Sequence, residues 1–402
     1  MSTKEDGSGS GNGILTVESI PMYLEEHREE VGAFDVGAKL VATSITGGNV
    51  NFAFVVKDDG GKSVFVKQAP EYVAIFGPDG FPLTSERMQR EVDVYDEWRT
   101  ILGADQQQPS YIPQIYMFDR KRMVFVMEFL DGYSLLDHIL VDATTAQLSP
   151  NVAKRLGEFM GKTHAATHSS KVSNERLEYL NQHFLNRPMR DIQLEFVFTK
   201  CYKEATDEQR EGLIVDEAFQ QQIQTLKRQY DYSNTDTHNL VLSHGDLHPG
   251  SVMVQMETGD AKIIDPEFTI YGPPGLDVGS LLSGYVLAAV HQKYSSSSDE
   301  ILLSICDGME SIWTHYCAAL EQANIDPNIV HEIEVQTVGF TVAEVCRTAM
   351  EFAGGRKWLQ FPNQPSIQAQ AKKAALTIVQ NCMVQRHQGG MKLLLSQVKS
   401  LL

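Results

Sequence analysis

Cysteine is scarce and scattered: five in 402 residues (Cys201, Cys306, Cys317, Cys346 and Cys382), with no close pair. That excludes a disulfide framework and a zinc site built on paired thiolates. No apolar run reaches the ~18–20 residues that a membrane span needs. The best candidate, residues 281–290, is short and carries Ser283 and Gly284. Positive charge is also in deficit. Lys and Arg number 34 against 52 Asp and Glu, a net charge of −18, which argues against a general binder of nucleic acid or anionic membrane. Residues 1–13 are polar and lack the apolar core of a secretory signal. Together these absences predict a soluble cytoplasmic protein with neither nucleic acid nor membrane as partner.

What is present is ordinary globular material, 42% hydrophobic and 21% charged. At roughly 100–200 residues per domain, this length suggests two domains or one bilobal unit. Residues 1–13, rich in Gly and Ser, read as a disordered tail. Ser19 and Pro21 signal the start of a short helix. Strand-like runs at 51–56 and 63–67 flank Asp58-Asp59-Gly60-Gly61, which is hairpin chemistry. A charged helix over 84–102 and strands at 114–117 and 123–127 follow. Beyond Leu130 the period becomes helical, at 152–168, 219–230, 299–323 and 369–384, with a strand-like island over 239–264. The expected division is a tail (1–13), a sheet-rich nucleotide-binding lobe (14–127) and a larger helical lobe (128–402) that carries catalysis and binds the acceptor.

The densest chemistry lies in LSHGDLHPGSVMV and, after it, AKIIDPEF. Asp265 and Glu267 flank Pro266 at the end of an apolar strand, and extended residues two apart point to one face. Two converging carboxylates suit Mg²⁺ bound together with nucleotide phosphates. Asp246, 19 residues before Asp265, is placed to accept a proton from a hydroxyl being phosphorylated. Such carboxylates alone could be solvated strand ends; the upstream His-Gly-Asp is what favours chemistry. In the first lobe, Gly47, Gly48 and Asn49 precede a strand, where backbone N–H groups can approach phosphates. Lys67 ends the next strand and suits α/β-phosphates, with Glu91 on the following helix as its partner; Glu86 and Glu97 compete for that place. The backbone near Glu128 and Leu130 is the candidate for contacts to adenine. His244 and His248 read as loop-packing residues rather than metal ligands, and Asp277 as a helix-start acid that either anchors the loop or caps a helix.

This set resembles the small-molecule branch of the protein-kinase-like superfamily, and within it the 5-methylthioribose kinase family. The marks are HGDLHPGSV (244–252), IDPEFTIYGPPGLDVG (264–279), KQAPEYV (67–73) and GPDGFPLTSERMQRE (77–91). The resemblance covers residues 45–347. It implies an α+β, bilobed, aminoglycoside phosphotransferase-like fold with a small antiparallel-sheet lobe and a larger helical lobe. It also implies ATP and Mg²⁺ as cofactors, a homodimer, and transfer of phosphate to the anomeric hydroxyl of 5-methylthioribose in methionine salvage. Carried over, Asp246 is the base and Asp265 and Glu267 are the metal ligands. Lys67, Glu91, Gly47, Gly48 and Asn49 serve the nucleotide, and Arg347 the sugar.

Ser251 stands where many relatives in the wider superfamily carry a metal-binding asparagine, a substitution typical of the methylthioribose branch. The chain departs from the pattern of that branch at two places. Pro249 replaces a threonine. The family's paired arginines read Arg347-Thr348 here, and Arg356 and Lys357 lie eight and nine residues beyond Thr348, too far along a helix to be expected as replacements. Two other readings stay open: a kinase of the same fold acting on an aminoglycoside, choline, ethanolamine or another sugar, and a binding protein without turnover.

Overall fold

A computed structural model describes residues 13–45, 50–103, 110–142, 149–295, 298–353, 356 and 358–402. Residues 1–12 of the expected tail, and Gly47, Gly48 and Asn49, lie outside the described residues. The chain divides into two compact units, 1–93 with 113–130, and 94–112 with 131–402.

The first unit is built on a five-stranded antiparallel sheet in the order β1-β2-β3-β5-β4. Its strands are β1 (Leu40–Ser44), β2 (Phe52–Asp58), β3 (Ser63–Gln68), β4 (Ile115–Asp119) and β5 (Val124–Glu128). Alternation along β3 sorts its side chains by face. Val64 and Val66 join Phe54, Val56, Val124 and Val126 in a core that also takes Ile20, Tyr23 and Leu24 of helix α1 (Ile20–Glu26) and Val31 of α2 (Arg28–Val31). Phe65 and Phe125 face the other way, onto Met88 and Val92 of α3 (Arg87–Leu102). Lys67 has the parity of Phe65, so it points toward α3.

The second unit begins partway along α3, at Val94. Trp98 explains why: it is buried edge-on against Phe159 and stacked on His244, both residues of this unit. Short helices α4 (Leu136–Val141), α6 (Asn174–His183), α7 (Arg187–Phe196), α8 (Lys200–Glu204) and α9 (Asp207–Arg210) accompany the longer α5 (Pro150–Thr167) and α10 (Glu217–Tyr230). The C-terminal half is α11 (Gly275–Tyr294), α12 (Asp299–Gln322), α13 (Pro327–Ala349) and α14 (Pro365–Lys399). Starts follow the capping rules: Ser149, Ser173, Asp216 and Asp326 each accept a backbone N–H from the first turn. Helix α11 is buried almost throughout, which is why it shows no polar stripe in sequence. The C-terminal apolar segment packs on its own unit through Met391, Leu394 and Val398. Two small antiparallel pairings complete the unit, β6 (Ser134–Leu135) with β8 (Val252–Gln255) and β9 (Asp260–Ile263), and β7 (Val241–Ser243) with β10 (Ile270–Gly272).

Candidate active site

Ser243 pairs with Ile270 and Val252 with Ile263, so residues 244–251 and 264–269 are loops closed by the same four strands. They are stitched together. Ile264 N–H donates to Ser251 O at 3.0 Å, and His244 Nε2 donates to Ile264 O at 3.0 Å. His244 Nδ1 accepts from Asp246 N at 3.3 Å, which fixes the tautomer and leaves neither ring nitrogen for a metal. His248 Nδ1 likewise accepts from Gly250 N at 2.9 Å. Asp277, buried in the first turn of α11, accepts from His244 N (2.7 Å) and Gly245 N (2.9 Å), and it also contacts His164 Nε2 at 3.1 Å. Of the two roles its place in the sequence suggested, it anchors the loop; the helix cap falls at Pro274. Gly245 has φ +88°, and a Cβ there would lie 2.0 Å from Phe268 O; no other residue fits that crossing.

Asp246 is thereby held with its carboxylate 21% exposed, Oδ1 3.8 Å from Arg356 Nη2 and Oδ2 3.7 Å from His248 Nε2. Burial pushes its pKa up, but His248, Arg356 and Arg347 outweigh burial and hold it below the usual carboxylate value. Burial lowers the pKa of His248 itself, so at neutral pH the arginines supply the positive charge. Ser251 donates its hydroxyl to Asp246 O at 3.2 Å, an internal bond that fixes the loop.

The Asp-Pro-Glu segment departs from the expected extended strand. β9 ends at Ile263, Asp265 takes φ +63°, and Thr269 N–H closes a turn on Pro266 O at 3.1 Å. The two carboxylates meet through this turn rather than through strand alternation, with oxygens within 4.8 Å of one another. Tyr95 accepts from Asp265 N at 3.2 Å, and Asn186 Nδ2 donates to the carbonyls of Glu267 and Thr269 at 3.0 Å each. Glu267 is buried and Asp265 exposed. Hard oxygens at that separation fit a divalent cation of the magnesium type.

In the first unit, Lys67 Nζ lies 2.9 and 2.7 Å from the two Glu91 carboxylate oxygens, with both side chains buried. Of the three candidate glutamates, Glu91 is the one that meets Lys67. Glu128 N–H donates to Gln114 O at 2.8 Å, its carboxylate accepts from Gln114 N at 3.1 Å, and Leu130 is buried.

Two residues of the second unit carry more than the sequence suggested. Glu344 is buried, and its Oε2 accepts from Arg347 Nε and Nη2 at 2.8 Å each and from Arg356 Nη1 at 3.0 Å. Distance along a helix is not the relevant measure for Arg356, because α13 stops at Ala349. Phe352 N–H bonds Arg347 O at 2.8 Å, Glu351 N–H bonds Thr348 O at 3.1 Å, and Glu351 has φ +69°. That is a Schellman stop with a glutamate in the place usually taken by glycine. The missing glycine hid the turn. The available signal was Glu344 three residues before Arg347, the spacing of a helical ion pair.

The phosphotransferase enzyme family matches residues 41–294. A methylthioribose kinase of Bacillus cereus is 28% identical over 381 residues, 90% of this chain and 91% of that protein. One from a Geobacillus species is 28% identical over 375 residues, 89% of each chain. Among solved structures, a glucosamine kinase has a TM-score of 0.48 at 14% identity, covering 88% of this chain and 81% of that one. The Plasmodium vivax ethanolamine kinase has a TM-score of 0.44 at 14% identity, covering 92% and 91%. With the family match spanning more than half its length, this chain belongs to the phosphotransferase enzyme family.

Proposed function

We propose that the protein is an ATP- and Mg²⁺-dependent small-molecule kinase that phosphorylates the anomeric hydroxyl of 5-methylthioribose, a step of methionine salvage. The acceptor is carried by one observation: similarity to methylthioribose kinases over nine-tenths of the chain. The chemistry is supported by the site itself. Asp246 is an ionised carboxylate on a loop fixed by Asp277, His244 and Ser251. It accepts the hydroxyl proton as the sugar oxygen bonds to the γ-phosphorus and the bond from that phosphorus to the β,γ-bridging oxygen breaks, releasing ADP. Asp265 and Glu267 are the residues that would hold magnesium, which when bound neutralises charge on the phosphates. Lys67, oriented by Glu91, is the cation for the nucleotide's phosphates. Phosphoryl transfer depends mostly on such positioning and charge, so the rigidity of these loops is itself catalytic in effect. All five cysteines are free thiols, four of them buried, which fits a reducing cytoplasm.

The test is ADP release with ATP and Mg²⁺ across methylthioribose, ribose, choline, ethanolamine and an aminoglycoside. Methylthioribose is expected to give the highest kcat/KM. A higher value for an ammonium compound would replace the acceptor, and ATP binding with no turnover on any of them would remove the kinase assignment.

A further inference from the structure

The carbonyls of Gly245, Glu267 and Thr269 belong to buried residues outside the strands, and buried backbone acceptors need donors. One short helix supplies them. Asn186 immediately precedes α7, and its Nδ2 donates to Glu267 O and Thr269 O at 3.0 Å each. Arg190 donates to Tyr271 O of β10 and, at 2.7 Å, to Tyr230 O. Gln193 Nε2 donates to Gly245 O at 2.8 Å. Positions 186, 190 and 193 follow the i, i+4, i+7 spacing of one helical face, which here turns donors inward where apolar side chains are usual. Arg190 and Gln193 are buried. Asn186 is a favoured capping type, yet at φ +45° it makes no capping bond; its amide is committed to the loop instead. Each loop is gripped beside a residue of the proposed chemistry. Gly245 precedes Asp246, and both of its backbone polar groups are held, the N–H by Asp277 and the carbonyl by Gln193. Glu267 is held through its own carbonyl. Seven residues separate Asn186 from Gln193, about 10 Å along a helix axis.

We propose that α7 is a strut that sets the separation of the loop carrying Asp246 from the loop carrying Asp265 and Glu267, with Asn186 and Gln193 as positioning residues at its two ends. This deepens the kinase reading and rests on it. Phosphoryl transfer needs the acceptor oxygen and the phosphate aligned, so the base and the metal ligands have to keep one separation. Both residues act through the backbone they hold.

The experiment compares wild type with Asn186→Gly, Gln193→Met and the double variant. Glycine tolerates the left-handed backbone and deletes the amide; methionine keeps the length of glutamine without its donor. Hydrogen–deuterium exchange, read by mass spectrometry without substrate, should quicken several-fold in 264–269 for Asn186→Gly and in 244–251 for Gln193→Met. Exchange in α11 and α13 should stay as in wild type, whereas a merely structural role would speed it throughout the unit. In steady state each single variant should lower kcat by about tenfold or more, the size of a lost outer-shell partner. The KM values for ATP and methylthioribose should stay within about twofold. The double variant should lose less than the product of the two single losses, because freeing either end already releases the separation. Losses that multiply, or exchange unchanged in both loops, overturn the inference. Should Asn186→Gly fail to fold, Asn186→Asp takes its place, since it keeps the side chain's shape and loses the same donor. No ADP release by wild type with any acceptor, together with the loop-specific exchange, would overturn the kinase reading alone.

Discussion

The carboxylate of Asp277 fixes the backbone of Gly245 from 32 residues away in sequence, accepting its N–H at 2.9 Å while also accepting that of His244 at 2.7 Å. Asp277→Asn keeps the shape but turns an acceptor into a donor at one of these amides. Leaving a buried group unsatisfied costs about 1–3 kcal/mol. The expected outcome is a lower melting temperature by differential scanning calorimetry and a kcat reduced by more than about tenfold as the loop loosens, with ATP affinity by calorimetry nearly unchanged.

Asp246→Asn tests the proposed base. Loss of a general base typically costs about 10²–10⁴-fold in rate, so ADP release at saturating acceptor should fall by that factor. Nucleotide binding should persist. A kcat equal to wild type would remove Asp246 from the chemistry.

The Lys67–Glu91 pair is buried on both sides, and removing one partner of such a pair costs about 3–5 kcal/mol because the other charge is stranded. Glu91→Ala should therefore lower stability in a urea titration and also weaken ATP binding, since the lysine loses its orientation. The surface pair Arg99–Asp96 is the control. Asp96→Ala should change stability by less than about 1 kcal/mol.

Much of this was legible in the sequence because the informative residues are local. His-Gly-Asp, Asp-Pro-Glu and the β3 lysine sit in short motifs, and the amphipathic helices α5, α10 and α12 announce themselves by period. Helix α11 did not, because it is apolar on every side, and periodicity marks only a half-buried helix. The edge strand β1 is mostly exposed, which leaves little apolar alternation to see. Helical spacing alone argues against Arg356, and the stop that brings it back depends on a left-handed glutamate, Glu351, that composition does not flag. Asp265 and Glu267 do meet, but through a turn at Asp265, so the strand spacing that predicts their meeting is not what produces it.

The pH profile follows from the depressed pKa of Asp246. A carboxyl whose folded pKa lies below its ordinary value of 3.8 contributes stability above that value and loses it as pH falls through the folded pKa. The acid limb of kcat/KM should therefore lie below the ordinary carboxylate range. Arg356 is one of the charges that lower this pKa, so in Arg356→Ala the limb should move to higher pH. An unmoved limb would show that the guanidinium does not act on Asp246 electrostatically.

Pro249 packs where Gly284 of α11 leaves room: a Cβ at position 284 would lie 2.2 Å from the proline ring. The two positions are thus sterically coupled. Alanine at 284 would force the proline ring or the helix to shift. The ring of Pro249 occupies space that any side chain at position 284 would claim, so this loop's shape depends on a helix far from it in sequence.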